Sequence, residues 1–318
     1  MYLQYFNFIK HPFELTPNAE FVYFSEIHQD AYKTVLYGIE NLKGLMALTG
    51  PVGIGKTTIC RLVLNHCHKS ENENKIKVAY IFNPTLSFTE IIKALLNDFG
   101  VKYNKKENSK VYLLEALNKF LIKEYANKRI AAAIIDEAQL LDIETIEELR
   151  LLTNLETDND KLLQLVLCGQ PELDEIINSP RLEQLKQRVN FHCMLMPLSS
   201  SEIKNYMNHR MQLAGASEPV FFSNQALNLV NYFSKGIPRR INSICDKTLL
   251  AAYALGKKKV DAFCVIDGIR AIEGKIEPLA FYTRYSFYML LKYSRIAVLL
   301  VVITILLTII FFRQKYIF

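Results

Sequence analysis

The 318-residue sequence predicts an α/β fold: a parallel five-stranded sheet with helices on both faces, followed by an all-α subdomain and a C-terminal transmembrane helix. Three observations carry this prediction. Up to Pro197, short continuous apolar runs alternate with amphipathic stretches, the pattern of strands buried on both faces and joined by crossover helices. After Pro197 only helical patterns remain. Near the C-terminus, Ile296 to Phe312 (IAVLLVVITILLTIIFF) form a run of 17 residues without a charge. Charged residues at 22%, with 12 Gly and 10 Pro, exclude a disordered or fibrous chain.

Each element follows in order. Gly44 to Thr49 (GLMALT) reads as the first strand, and a Gly-rich turn leads from it into a helix from about Lys56 to Lys69. Lys77 to Asn83 (KVAYIFN) reads as the second strand, followed by helices near Phe88 to Phe99 and Val111 to Asn127. Ile130 to Asp136 (IAAAIID) is the third strand, with a helix near Ile143 to Glu156 after it. Leu162 to Cys168 and Phe191 to Met196 are the fourth and fifth. Ser199-Ser200-Ser201-Glu202 carries a capping signature, with a hydroxyl three residues ahead of a carboxylate. Further helices are expected near Asn224 to Ser234, Pro238 to Leu255 and Asp261 to Glu273. The expected division is an N-terminal segment at 1–43, an α/β domain at 44–197 and a helical lid at 198–274. A basic linker at 275–295, the membrane helix at 296–312 and a short exported tail at 313–318 complete it.

The net charge of +6, from 38 Lys+Arg against 32 Asp+Glu, invites a nucleic-acid partner until its location is considered. Beyond residue 280 lie Arg284, Lys292, Arg295, Arg313 and Lys315 and no acid, so the rest of the chain carries 33 bases against 32 acids. A helix of 17 residues spans about 25 Å, near the short end for a bilayer. Arg295 and Arg313 bracket the run, where they can snorkel to headgroups, and the aromatic stretch from Phe281 to Tyr293 suits the interface. The positive-inside tendency then keeps the large N-terminal part in the cytosol. The six cysteines form no CxxC pair and read as reduced thiols. His66-Cys67-His68 are adjacent on a helix and point to different faces, so they do not converge on a metal.

Gly50-Pro-Val-Gly-Ile-Gly55-Lys56-Thr57 matches GxxxxGK[ST] between a predicted strand and a predicted helix. Backbone N–H groups freed by the glycines, together with the helix N-terminus, favour phosphate. The nucleotide-binding set is therefore Gly50, Pro51, Val52, Gly53, Ile54, Gly55, Lys56, Thr57 and Thr58. Lys56 would neutralise the β- and γ-phosphates of ATP, and the Thr57 hydroxyl would bind Mg²⁺. The third strand ends in Ile134-Ile135-Asp136-Glu137. There Asp136 would complete the Mg²⁺ shell and Glu137 would orient and deprotonate the attacking water. Eighty positions separate Lys56 from Asp136, room for a strand and its helices inserted between the two motif strands. Kinase-like nucleotide binders lack this insertion. The spelling DEAQ also matches DExx-box helicases, but those need two such domains, for which the chain is too short.

Several further segments, taken together, carry a resemblance: Pro12-Phe13, Leu15-Thr16-Pro17, Phe21-Val-Tyr-Phe-Ser25, His28 and Tyr37-Gly38-Ile39, then LTGPVGIGKTT, IIDEAQ, CGQPEL and GIPRRIN. Over about residues 5–275 the sequence resembles the AAA+ ATPases of the ExeA/GspA type, linked to general (type II) secretion, including the MshM-like proteins of mannose-sensitive pilus systems. The resemblance implies a P-loop AAA+ fold with ATP and Mg²⁺ as cofactors. It places Gln170 at the sensor-1 position and Arg188 at the arginine finger, with Arg181 as a rival. It places Arg239 at sensor 2 on the lid, with Arg240 as the alternative contact. A finger implies a homo-oligomer. The expected role is ATP hydrolysis by a single-pass bacterial inner-membrane protein, with its ATPase domain cytoplasmic and its C-terminus exported, in support of type II secretion or an MSHA-like type IV pilus. A secretion or pilus component of that membrane is the expected partner. Members of the family typically carry a large exported region implicated in engaging peptidoglycan; only Arg313 to Phe318 follow the apolar run here, which argues against direct cell-wall binding. The alternative is a DNA-associated AAA+ regulator related to transposition and replication ATPases. The near-neutral balance of residues 1–280 argues against that nucleic-acid partner.

Overall fold

Five strands, β1 (Leu45–Thr49), β2 (Ile76–Ile81), β3 (Ile130–Ile135), β4 (Leu163–Gly169) and β5 (Val189–Met194), pair in parallel throughout, in the order β2-β3-β4-β1-β5. They belong to a computed structural model that describes residues 2–15, 21–69, 75–82, 85–216 and 218–274. Strand β4 lies between β1 and β3, so the two motif-bearing strands are not neighbours. The C-terminal ends of β1, β3 and β4 nevertheless open on the same edge of the sheet, where ligands of parallel sheets bind.

Alternate residues of the strands feed two cores. Ala47, Ala133, Ile135 and Leu165 turn to one face, with residues of α4 (Phe88–Asp98), α5 (Lys110–Ala126) and α6 (Ile143–Thr153). Met46, Ala132, Ile134 and Val166 turn to the other, against α2 (Glu26–Glu40) and α3 (Lys56–Cys67). Burial on both sides explains why β1, β3 and β4 read as continuous apolar runs. β5, at the edge, alternates half-buried and exposed residues instead. Its bounds fall two residues earlier than expected: Leu195 and Met196 extend the apolar run but follow the strand.

Helices α2, α4, α5, α6 and α9 (Ser200–Leu213) each start on a Ser or Asp whose side chain accepts a hydrogen bond from the first helical turn. Ser87 with Glu90 and Ser199 with Glu202 form complete capping boxes. Past β5 the described elements are helical: α9, α10 (Asn224–Ser234), α11 (Pro238–Ala254) and α12 (Ala262–Glu273). A single parallel bridge, Phe222 to Val260, is added. Four shorter or N-terminal helices were not foreseen: α1 (Tyr2–Tyr5), α2, α7 (Pro171–Ile177) and α8 (Glu183–Lys186). The chain divides into two units, Met1–Gly268 and Ile269–Phe318. The sheet and the elements that frame the site lie in the first.

The expected transmembrane helix, and with it the single-pass inner-membrane placement with an exported C-terminus, is corrected. Among the described residues no helix is long and apolar enough to cross a membrane. The longest, α5 and α11, have 17 residues each, and α5 carries Lys110, Glu115, Lys119, Lys123 and Glu124. A span needs about 20 predominantly apolar residues. The run at 296–312, the linker at 275–295 and the tail at 313–318 lie outside the described residues.

Candidate nucleotide-binding site

The loop between β1 and α3 wraps around its own lysine. Lys56 is 5% exposed, and its Nζ donates to the carbonyls of Gly50 (2.8 Å) and Pro51 (3.2 Å). Two carbonyl partners satisfy a buried ammonium without a carboxylate, which leaves its positive charge available to a phosphate chain. Gly53 has φ +78° and touches the start of α11. A Cβ there would lie 2.7 Å from Cβ of Arg239, and the Arg239 amide donates to the Gly53 carbonyl at 3.2 Å. α11 begins with Pro238 in its first turn, so Arg239 sits at a helix N-terminus against the loop. Of the two candidate lid arginines, Arg239 lines the cleft above the loop; Arg240 is not among its lining residues.

Thr57, one residue into α3, meets Asp136 at the end of β3. Its hydroxyl donates to Asp136 Oδ2 at 2.8 Å, and Tyr80 from β2 donates to the same oxygen at 2.8 Å. Oδ1 accepts the Glu137 amide at 2.9 Å. Asp136 is fully buried. Burial and the neighbouring carboxylate push the Tyr80 phenol far above its ordinary range, so it stays a donor. Behind it, a hydrogen bond with Cys60, burial and the charge of Asp136 raise the Cys168 thiol and keep it neutral. Thr57 and Asp136 are hard oxygen donors at one point beside the loop, which fits Mg²⁺.

Glu137 has a left-handed backbone, φ 55° and ψ 36°, which swings its side chain out of the strand line. Its Oε2 accepts from Nε2 of Gln139 (2.7 Å) and of Gln170 (3.2 Å). Gln170 follows β4, so the structure brings the expected sensor and the expected base together. The two arginines weighed as fingers are elsewhere. Arg188 donates to Thr153 Oγ1 at 2.9 Å and to Asn154 Oδ1, at the end of α6. Arg181 pairs with Glu144 (3.0 Å) and Glu147 (3.4 Å) on the same helix. Neither lines this chain's own cleft.

The cleft has a volume of about 290 Å³ and is bordered by the segment before α2 through Phe21 and Phe24, by α3 through Leu62, and by the helical part after β5 through Leu198, Tyr206 and Pro238. An apolar end and a phosphate-selective end suit a nucleotide. Reading the sequence did not give His28 or Gln139 a role. His28 is buried, accepts from Ser25 Oγ at Nδ1 (2.6 Å) and donates from Nε2 to the Ile54 carbonyl (2.9 Å), pinning the phosphate loop from α2. Its partner is 26 residues away in sequence, and nothing in the local pattern announces that contact.

Residues 39–177 match the AAA domain family. The chain is 40% identical over 260 residues to General secretion pathway protein A of Aeromonas hydrophila, covering 82% of this chain and 46% of that protein. It is 33% identical over 129 residues to the uncharacterized protein MJ1519 of Methanocaldococcus jannaschii, covering 37% of this chain and 10% of that one. The chain thus spans less than half the length of each of these curated relatives. Among solved structures it resembles the Aeropyrum pernix ORC1 protein in complex with DNA, with TM-score 0.58, 18% identity and coverage of 83% of this chain and 70% of that one. It also resembles CDC6P from Pyrobaculum aerophilum, with TM-score 0.56, 18% identity and coverage of 74% and 63%. At such identities the likeness is one of fold.

Proposed function

The chain is a GspA-like AAA+ ATPase, and from that premise we propose that it binds ATP with Mg²⁺, hydrolyses it, and serves a secretion system. The observation that carries this reading is the hydrogen bond from Thr57 to the buried Asp136 beside a loop that holds Lys56. In this reading the backbone N–H groups of residues 52–58 and the Lys56 ammonium hold the β- and γ-phosphates, and Thr57 with Asp136 holds the metal. Held by Thr57 and Asp136, Mg²⁺ would supply positive charge against the charge that develops on the phosphates. Glu137 orients a water and takes its proton. Gln170 reads the γ-phosphate, and Arg239 brings the lid onto it. Arg188, or its rival Arg181, reaches the nucleotide of a second copy and stabilises charge there. The working division is an N-terminal segment at 1–43, an ATPase domain at 44–197 and a lid at 198–274.

The name of the Aeromonas hydrophila relative points to a secretion component as the partner, and a type IV pilus assembly system is the finer version of that reading. The test is a pull-down from cells with wild type and Glu137→Gln in the presence of ATP and Mg²⁺. The substitution removes the base and keeps the shape, so it should retain bound ATP and enrich secretion or pilus components. Absence of ATP binding, or of any such component, would sink the proposal.

A further inference from the structure

We propose that Gln139 is a positioning residue for ATP hydrolysis: it holds Glu137 in place against the end of β4. This inference rests on the reading of Glu137 as the base. Gln139 makes both of its connections at once. Its Nε2 donates to Glu137 Oε2 at 2.7 Å, and its Oε1 accepts the Gln170 backbone amide at 3.0 Å. The side chain is thus a bridge between the carboxylate and the backbone of the loop that follows β4. The surroundings make room for it. At Gly169 a Cβ would stand 2.9 Å from Gln139 Oε1 and 2.7 Å from Leu173 Cδ2, so a larger residue at the end of β4 would displace the bridge.

The bridge matters because, among the described residues, little else holds the Glu137 side chain. It sits in a left-handed backbone conformation at the head of the short 3₁₀ turn Ala138–Leu140. Its other side-chain donor is Gln170 Nε2, at 3.2 Å. Gln170 is also the residue placed to read the γ-phosphate. When its amide turns to phosphate, Gln139 remains as the donor on Oε2, and Oε1 is left for the water. The Gln170 backbone amide stays in place while its side chain moves, so the bridge survives the change. Gln139 therefore acts through Glu137 and touches neither nucleotide nor water.

The experiment measures kcat, KM and nucleotide affinity for Gln139→Met and Gln139→Glu, each also combined with Glu137→Gln. Methionine fills the volume without a donor, and glutamate keeps the shape but replaces the donor with an acceptor. Both single variants should lose about tenfold to a hundredfold in kcat while KM and affinity stay within about twofold. In the Glu137→Gln background the residual rate should not fall further, because the group being positioned is gone. Wild-type kcat in both variants overturns the proposal, and so does a loss that persists at full size in that background. If the Met variant does not fold, the Glu variant gives the same readings. Failure of wild type itself to hydrolyse ATP, or of Glu137→Gln to slow it, would instead count against the underlying assignment of the base.

Discussion

Lys56 shows how much of the site was legible at the level of single residues. A lysine after GxxxxG reads as a phosphate ligand, and the structure adds that it is buried and held by two loop carbonyls. Lys56→Ala should abolish nucleotide binding, measured by titration with a fluorescent ATP analogue; unchanged affinity would overturn the loop assignment. Gly53 reads only as one glycine of the motif, yet it carries two constraints, a positive φ and a neighbour so close that an added Cβ would stand 2.7 Å from Arg239 Cβ. Gly53→Ala should cost about 1–2 kcal/mol from the backbone alone, seen as a lower Tm and a weakened lid contact. Asp136 and Glu137 were readable as a strand-ending acid pair. Gln139 was not, because its role depends on Gln170, 31 residues away.

Among the elements, most of the long helices were readable, while the short ones and the 15-residue α2 were not. α3, α4, α5, α9, α10 and α11 fall within a few residues of expectation. α7 has seven residues and α8 four, too few to express a helical period against the cost of nucleation. α9 is the element where a local signature has a measurable price: Ser199→Ala removes the box formed with Glu202 and should destabilise the protein by about 1 kcal/mol, read from chemical denaturation. The sheet makes a separate prediction about thiols. All six cysteines are free, and Cys193 on β5 is half-exposed while the other five are buried. Burial raises the Cys193 thiol, so it should react with a thiol reagent more slowly than a free cysteine. It should still react before the rest, which wait for unfolding; simultaneous labelling of all six would contradict this packing.

For the molecule as a whole, the phosphate loop, the segment before α2 and the lid meet around one cleft, so a ligand there should stabilise the fold as a unit. ATP with Mg²⁺ at a hundredfold excess over Kd should add about 2.7 kcal/mol, visible as a rise in Tm. Chelation of Mg²⁺ should reduce that rise, and Lys56→Ala should remove it. The positive excess lies beyond residue 280, outside the described residues, among which no helix is long and apolar enough to cross a membrane. What the sequence determined by itself was the α/β class, the five strands, the helical stretch after them and the phosphate-binding motif, because hydrophobic period and glycine spacing are local properties of the chain. Tertiary structure alone decided the strand order with β4 between the motif strands, the pinning by His28 and the Gln139 bridge. Each of those is a contact between residues far apart in sequence, fixed by how the two faces of the sheet are packed and by which groups are left at its C-terminal edge.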